Sequence, residues 1–277
     1  MGRMMAKTSS DSSLRTDSFY RDARESLKNH EFWLLAAWLE IVSKYRRSAV
    51  GIFWVLLPPV ATFCVLGYFY AGIIGRPPLS FMPYMGMGYT LWRFVTQVMN
   101  EASTVMLSSR AFIMDGRVRL TDYVLKSISK AAFHLVAACI VLGIVLACSP
   151  DFVVQGLPVT IAGLALFMWN LFCLAIVLAL VGARFPDFHE LTTSVFIFGF
   201  LLTPILWYPD SLPAGSARSA LVMANPVYHF LEIVRGPVLG RQVAGTSVAF
   251  VALFTAFTTA AAALVYRRYA RFVPIWI

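Results

Sequence analysis

The chain has 277 residues, of which 59% are hydrophobic and only 13% charged. A soluble domain carries about 25% charged residues, so this composition excludes a water-soluble globule and predicts an all-α polytopic membrane protein. The formal charge of +9 does not predict nucleic acid as a partner, because its placement follows membrane topology instead.

Residues 1–28 open the chain. They are Ser-rich and polar at the start with no apolar h-region, which predicts a disordered cytoplasmic tail and no cleavable signal peptide. Over 30–47, Leu34, Leu35, Trp38, Ile41, Val42 and Tyr45 recur at helical spacing, opposite Ala36, Glu40, Ser43, Lys44 and Arg47. This predicts an amphipathic helix lying in the membrane plane. The cluster Lys44, Arg46 and Arg47 then gives way to an uncharged apolar run, which marks the cytoplasmic edge of a first span over 49–74.

Five more spans are expected near 84–107, 129–149, 157–181, 191–208 and 246–266, six in all, with both termini cytoplasmic. In that topology all of the 23 lysines and arginines except Arg76, Arg93, Arg218, Arg235 and Arg241 fall inside. The second span is unusual. Arg93, Gln97, Asn100, Glu101 and Thr104 form a polar stripe, and such residues face protein or water rather than lipid. One reading is a helix lining a hydrophilic path; the other is that Arg93 and Glu101 satisfy each other or their neighbours. Trp54, Tyr68 and Trp92 are further path candidates for their aromatic faces, though lipid-facing or core positions are the better account of most aromatics.

Residues 108–128 read as the longest cytoplasmic loop, with a turn at Asp115-Gly116 and a helix cap at Thr121-Asp122. Beyond the fifth span, 214–242 holds two short apolar helices broken at Asn225-Pro226. They are either re-entrant from the outer face or a flat pair on the outer surface. Tyr228, His229 and Glu232 share or adjoin one helical face there and would offer hydrogen bonds to a ligand.

Catalytic chemistry is not legible. The chain carries no phosphate loop, no zincin motif and no catalytic or metal-ligating constellation, and Cys64, Cys139, Cys148 and Cys173 all fall in apolar spans. His134, in the third span, reads as a helix-packing hydrogen bonder rather than a proton relay.

Taken in order, YRRSAVGIFW, PYMGMGYTLWRF, ARFPDFHEL, TPILWYP and NPVYHFLEIVRGPVLG resemble the membrane subunit of a type-2 ABC exporter for cell-surface polysaccharide, the family that exports O-antigen, capsule and teichoic acid. The resemblance covers about residues 30–240. It implies a permease domain over 29–277 in the bacterial inner membrane, a homodimer, and a separate ATPase subunit that holds ATP and Mg, with no cofactor on this chain. Its substrate would be a lipid-linked polysaccharide. It also implies that the in-plane helix and the 108–128 loop receive the ATPase motion, through Lys44, Arg46, Arg47, Asp115, Arg117 and Arg119. The re-entrant pair would form an outer gate with Pro226, Tyr228, His229 and Glu232. A drug or small-lipid exporter of the same architecture is the alternative within transport; an embedded enzyme or a membrane scaffold without transport is the alternative outside it.

Overall fold

A computed structural model describes residues 19–277 except 47, 49, 116, 117 and 214. Among the described residues the architecture is entirely helical. Helices α1 (Phe19–Lys28) and α2 (His30–Tyr45) lie across one end of the bundle, the proximal end. The bundle comprises α3 (Gly51–Ile74), α4 (Pro78–Ser108), the short α5 (Arg110–Met114), α6 (Leu120–Ala147), α7 (Leu157–Arg184) and α8 (Phe188–Leu202). It continues through α9 (Ala217–Met223), α10 (Pro226–Arg235), α11 (Gly245–Tyr269) and α12 (Val273–Trp276).

Four of these, α3, α6, α7 and the α11–α12 run, are long and apolar enough to cross a membrane. The chain is a multi-pass membrane protein. Helix α4 is longer still, about 46 Å at 1.5 Å per residue, but Arg93, Gln97, Asn100 and Glu101 dilute its apolar character. It occupies the centre, in contact with α3, α6, α7, α8 and α10. Phe81, Met85, Phe94, Val98 and Ala102 are buried along it. A helix carrying ionisable groups is thus surrounded by apolar ones, the arrangement that a bilayer demands.

Two glycines set how closely helices and turns approach. A Cβ on Gly182 of α7 would lie 1.8 Å from the carbonyl oxygen of Ser103 on α4. One on Gly156 would lie 2.1 Å from the carbonyl oxygen of Pro237. Beside it, at the distal end, the Val153 N–H donates to the Val238 carbonyl at 2.9 Å.

The elements differ from the sequence expectation in three places. Residues 19–28, expected within a disordered tail, form α1, while 1–18 lie outside the described residues. Phe19, Asp22, Ala23 and Ser26 are its buried face at helical spacing. Two of those four are polar, so no apolar stripe announces the helix. The 108–128 segment is mostly helix: α4 runs to Ser108, α5 follows, and α6 already begins at Leu120 rather than 129. Asp122 contributes to this start, but as the third residue of α6, where its Oδ2 accepts the Arg119 backbone N–H at 3.2 Å. The expected fifth span, 191–208, stops at Leu202. Thr203 is extended (φ −90°, ψ 132°), as a residue before proline prefers. At 15 residues, α8 is about 22 Å long.

Gly182→Ala is expected to force α7 off α4 and lower the thermal midpoint of the purified protein. Overpacking of this kind costs about 1–3 kcal/mol. Gly143→Ala, where a Cβ meets nothing within 4 Å, should leave the midpoint unchanged in the same detergent.

Candidate functional site

The polar stripe of α4 divides in two. Gln97 Nε2 donates to Glu101 Oε1 at 3.1 Å, and Lys130 Nζ of α6 stands 2.9 Å from Glu101 Oε2. Lys130 also meets Glu40 Oε2 of α2 at 3.0 Å, and Lys126 pairs with the other oxygen of Glu40. Two carboxylates thus share two lysines across α2, α4 and α6. Asn100 faces elsewhere: its Oδ1 accepts from Thr193 of α8 at 3.4 Å. Next to it, Ser103 Oγ lies 2.8 Å from His189 Nδ1 and donates to the Asn100 carbonyl.

The charged half borders a cleft of about 460 Å³ lined by Glu40, Lys44, Gln97, Glu101, Lys130 and His134. A narrower pocket of about 40 Å³ continues it along α4 to Arg93, sharing Gln97 and His134. Burial pushes the Glu40 carboxyl up, but Lys126 and Lys130 together outweigh this and hold it below its ordinary 4.5. The pairing therefore stabilises the docking of α2 fully above that value and is lost as pH falls below it.

The aromatic candidates do not join this cleft. Trp54 and Tyr68 are exposed on α3. Trp92 is buried, with its ring 5.8 Å from Phe196 and 6.1 Å from Phe200 of α8. The coupling candidates are spread over two places. Lys44 and Arg46 are exposed at the end of α2, where Lys44 borders the cleft. Asp115 ends α5, and Arg119 pairs with Glu25 of α1. Arg47 and Arg117 lie outside the described residues. Arg21 donates to Glu25 at 3.1 Å and, with Arg119, holds the Glu25 carboxyl below its usual range.

Helix α1 is itself clasped to the bundle. Tyr266 of α11 donates to the buried Asp22 at 2.7 Å, and Ser26 and Thr121 share a hydrogen bond of 2.6 Å. Burial pushes the Asp22 carboxyl up, against the opposing Tyr266 bond. None of these partners stands out in the sequence, because each is an isolated polar residue separated from its mate by roughly a hundred positions or more.

At the distal end α10 is packed into the bundle. Its Phe230 meets Phe167 of α7 at 5.4 Å and Phe254 of α11 at 6.2 Å, and Thr160 of α7 donates to the Val234 carbonyl at 2.8 Å. Asn225 caps α10 by accepting the Val227 N–H, and donates to Thr203 Oγ1 at 2.8 Å. Pro226 is the first residue of α10, where its missing N–H costs nothing. The expectation that His229 offers a hydrogen bond to a ligand is corrected. The ring is buried, its Nε2 donates to the Met223 carbonyl at 2.8 Å, and its Nδ1 faces Ser247 Oγ at 2.9 Å. Both nitrogens are spent holding α9, α10 and α11 together. Tyr228 is buried too, and Glu232 is held by Arg235 at 3.1 Å.

Arg235 is not among the residues expected to matter, and it is the centre of this end. It is 1% exposed, donates to the Pro204 carbonyl at 3.1 Å, and stacks 3.7 Å above the Tyr84 ring. The Tyr84 hydroxyl donates to the Trp207 carbonyl at 3.0 Å. Arg241 lies 5.0 Å and Arg76 5.6 Å from the Tyr208 ring, which packs on Tyr84 at 4.1 Å. An arginine next to Gly-Pro gives no sequence signal beyond its charge.

Residues 31–239 match the family described as ABC-2 type transporter. The chain belongs to the ABC-2 type transporter family. Membership implies a transport subunit worked by an ATPase on a separate chain. The chain is also similar to the O-antigen export system permease protein RfbA of Myxococcus xanthus. The two are 24% identical over 195 residues, covering 68% of this chain and 72% of that one.

Arg235→Ala should strip the half-buried Glu232 carboxylate and the Pro204 carbonyl of their buried partner, lowering stability by about 3 kcal/mol. Arg235→Lys should not restore the thermal midpoint, since the planar stack on Tyr84 is lost. Glu40→Gln should speed hydrogen exchange in residues 30–45 at pH 7, with little difference from the native chain once pH is well below 4.5; exposed Glu31→Gln serves as the unchanged control.

Proposed function

We propose that this chain is the membrane subunit of an ATP-driven exporter of lipid-linked cell-surface polysaccharide, O-antigen or capsule. The observation that carries the substrate is the similarity to an O-antigen export permease, within a family match running from α2 to Leu239, just past α10. The polymer would leave through a path bordered by α4 between two copies of the chain in the inner membrane. Six crossings are read: the four long apolar helices together with α4 and α8. The proximal end, with both termini, is then cytoplasmic, which puts Lys44, Arg46, Arg119 and Arg184 on the inner side as the basic bias requires.

In this orientation α9 and α10 enter from the outer face and turn back at Ala224-Asn225, and the Asn225 cap satisfies backbone at the turn. The hairpin is read as the outer gate. Its latch is the Arg235–Tyr84–Pro204 contact rather than a sugar-binding face. At the inner side, Lys44 and Arg46 of α2 and the Asp115–Arg119 segment are read as the surfaces that receive the ATPase.

Deletion of the gene should abolish surface polysaccharide while leaving polymer synthesis intact, and expression of this chain with its ATPase should restore it. The purified chain alone should hydrolyse no ATP. A deletion strain with normal surface polysaccharide but a changed drug or lipid profile would replace this substrate with a small amphiphile.

A further inference from the structure

Arg93 differs from the four paired charges around the cleft. Glu40, Lys126, Lys130 and Glu101 are mutually paired. Arg93 is exposed on the bundle and, among the described residues, has no carboxylate, hydrogen-bond acceptor or aromatic ring against it. It lies about 12 Å along the α4 axis from Glu101, well inside the span. A guanidinium at such a depth is retained only where something answers it.

Two of the groups beside it, the Thr90 hydroxyl and the Gln97 amide, can donate hydrogen bonds. Thr90, Gln97 and His134 line the same narrow pocket. Thr90 Oγ1 is buried with no partner. The His134 Nδ1–H donates to the Lys130 carbonyl at 3.0 Å, which leaves Nε2 an acceptor with no N–H to offer an anion. Phe63, Phe94 and Leu135 supply apolar walls. The pocket runs into the larger cleft through Gln97 and His134, and at the far side of that cleft Lys44, another cation with no carboxylate among the described residues, lies over the ring of Tyr45. The pairs in between cancel. The cleft is therefore positive at its mouth, neutral along its middle and positive at its inner end, with hydrocarbon alongside. That pattern suits an acceptor-rich anion attached to an apolar chain.

We infer that Arg93, with Thr90 and Gln97, binds the phosphate or diphosphate headgroup of a membrane-borne amphiphile that slides in through the cleft between α2, α4 and α6. This deepens the reading of the chain as an exporter of a lipid-linked polymer, and rests on that reading only for which amphiphile is carried.

The test uses the full chain with its ATPase in nanodiscs of phosphatidylcholine, with a fluorescent short-chain polyprenyl diphosphate as probe. Arg93→Gln should weaken binding about tenfold or more, the loss expected for a charge-assisted contact. Arg93→Lys should fall between, because it keeps the charge and loses the fork. Competition by phosphatidylglycerol as strong as that of unlabelled diphosphate assigns the site to bulk anionic lipid; preference for the diphosphate assigns it to cargo. Either supports the site. Unchanged affinity in Arg93→Gln overturns it. So does a variant that falls to monomers while each monomer keeps full affinity, since Arg93 then answers a carboxylate of a second copy. If Arg93→Gln does not assemble, the Thr90→Val, Gln97→Leu double variant must weaken the probe by itself, and failure to do so sinks the site. A native chain that restores polymer export but does not bind the probe ends this inference and leaves the function standing. One that binds the probe and restores no export does the reverse.

Discussion

The bundle is organised around one constraint: α4 carries four strongly polar residues through the middle of a membrane protein. Each needs a partner that lipid does not supply. Glu101 finds it in Lys130, Gln97 in Glu101, and Asn100 in Thr193. These bonds draw α6 to one side of α4 and α8 to the other. The third side is closed by α7, which approaches to backbone contact at Gly182. The position of α2 follows, because Glu40 joins the same charge network from outside the bundle. Helix packing, cleft shape and the seating of the amphipathic helix therefore have a common origin in a few side chains.

The two ends of the bundle solve different problems with similar means. At the proximal end, α1 is fastened by the Tyr266–Asp22 bond, the Ser26–Thr121 bond and the Glu25–Arg119 pair. It ties the start of α6 to the end of α11. At the distal end, Arg235 ties α10 to the chain after α8 and to the first turns of α4. Both fastenings join segments far apart in sequence, so each resists separation of the helices it bridges. Movement of α2 relative to α4 and α6 meets a different obstacle, the shared lysines at the rim of the cleft.

Much of the fold is legible in the sequence because uncharged apolar runs of about 20 residues match the thickness of a bilayer and little else. The broken pair around Asn225-Pro226 is also legible, since a proline after a capping asparagine is a local signal. The misreadings have identifiable causes. Helix α1 escapes notice because half of its buried face is polar. The long cytoplasmic loop dissolves into helix because polarity near Lys126 and Lys130 marks the edge of the membrane and not the end of a helix. His229 reads as available because sequence shows the residue but not Met223 and Ser247 closing on its two nitrogens. Arg93, Gln97 and Glu101 are legible as a stripe; that Asn100 turns away to α8 depends on a neighbour that the sequence does not place.

The brevity of α8 has a consequence for the lipid around it. Leu191, Val195, Phe198, Leu201 and Leu202 present an apolar face outward over a helix of about 22 Å, while hydrocarbon cores are about 30 Å thick. With α8 as one of the six proposed crossings, hydrophobic mismatch would pull the two leaflets toward each other wherever lipid rather than protein covers that flank. The subunit would then sit in a bilayer of uneven thickness, thinnest beside α8. Headgroups there would lie deeper than elsewhere, which would shorten the journey of any polar group across the membrane along that side.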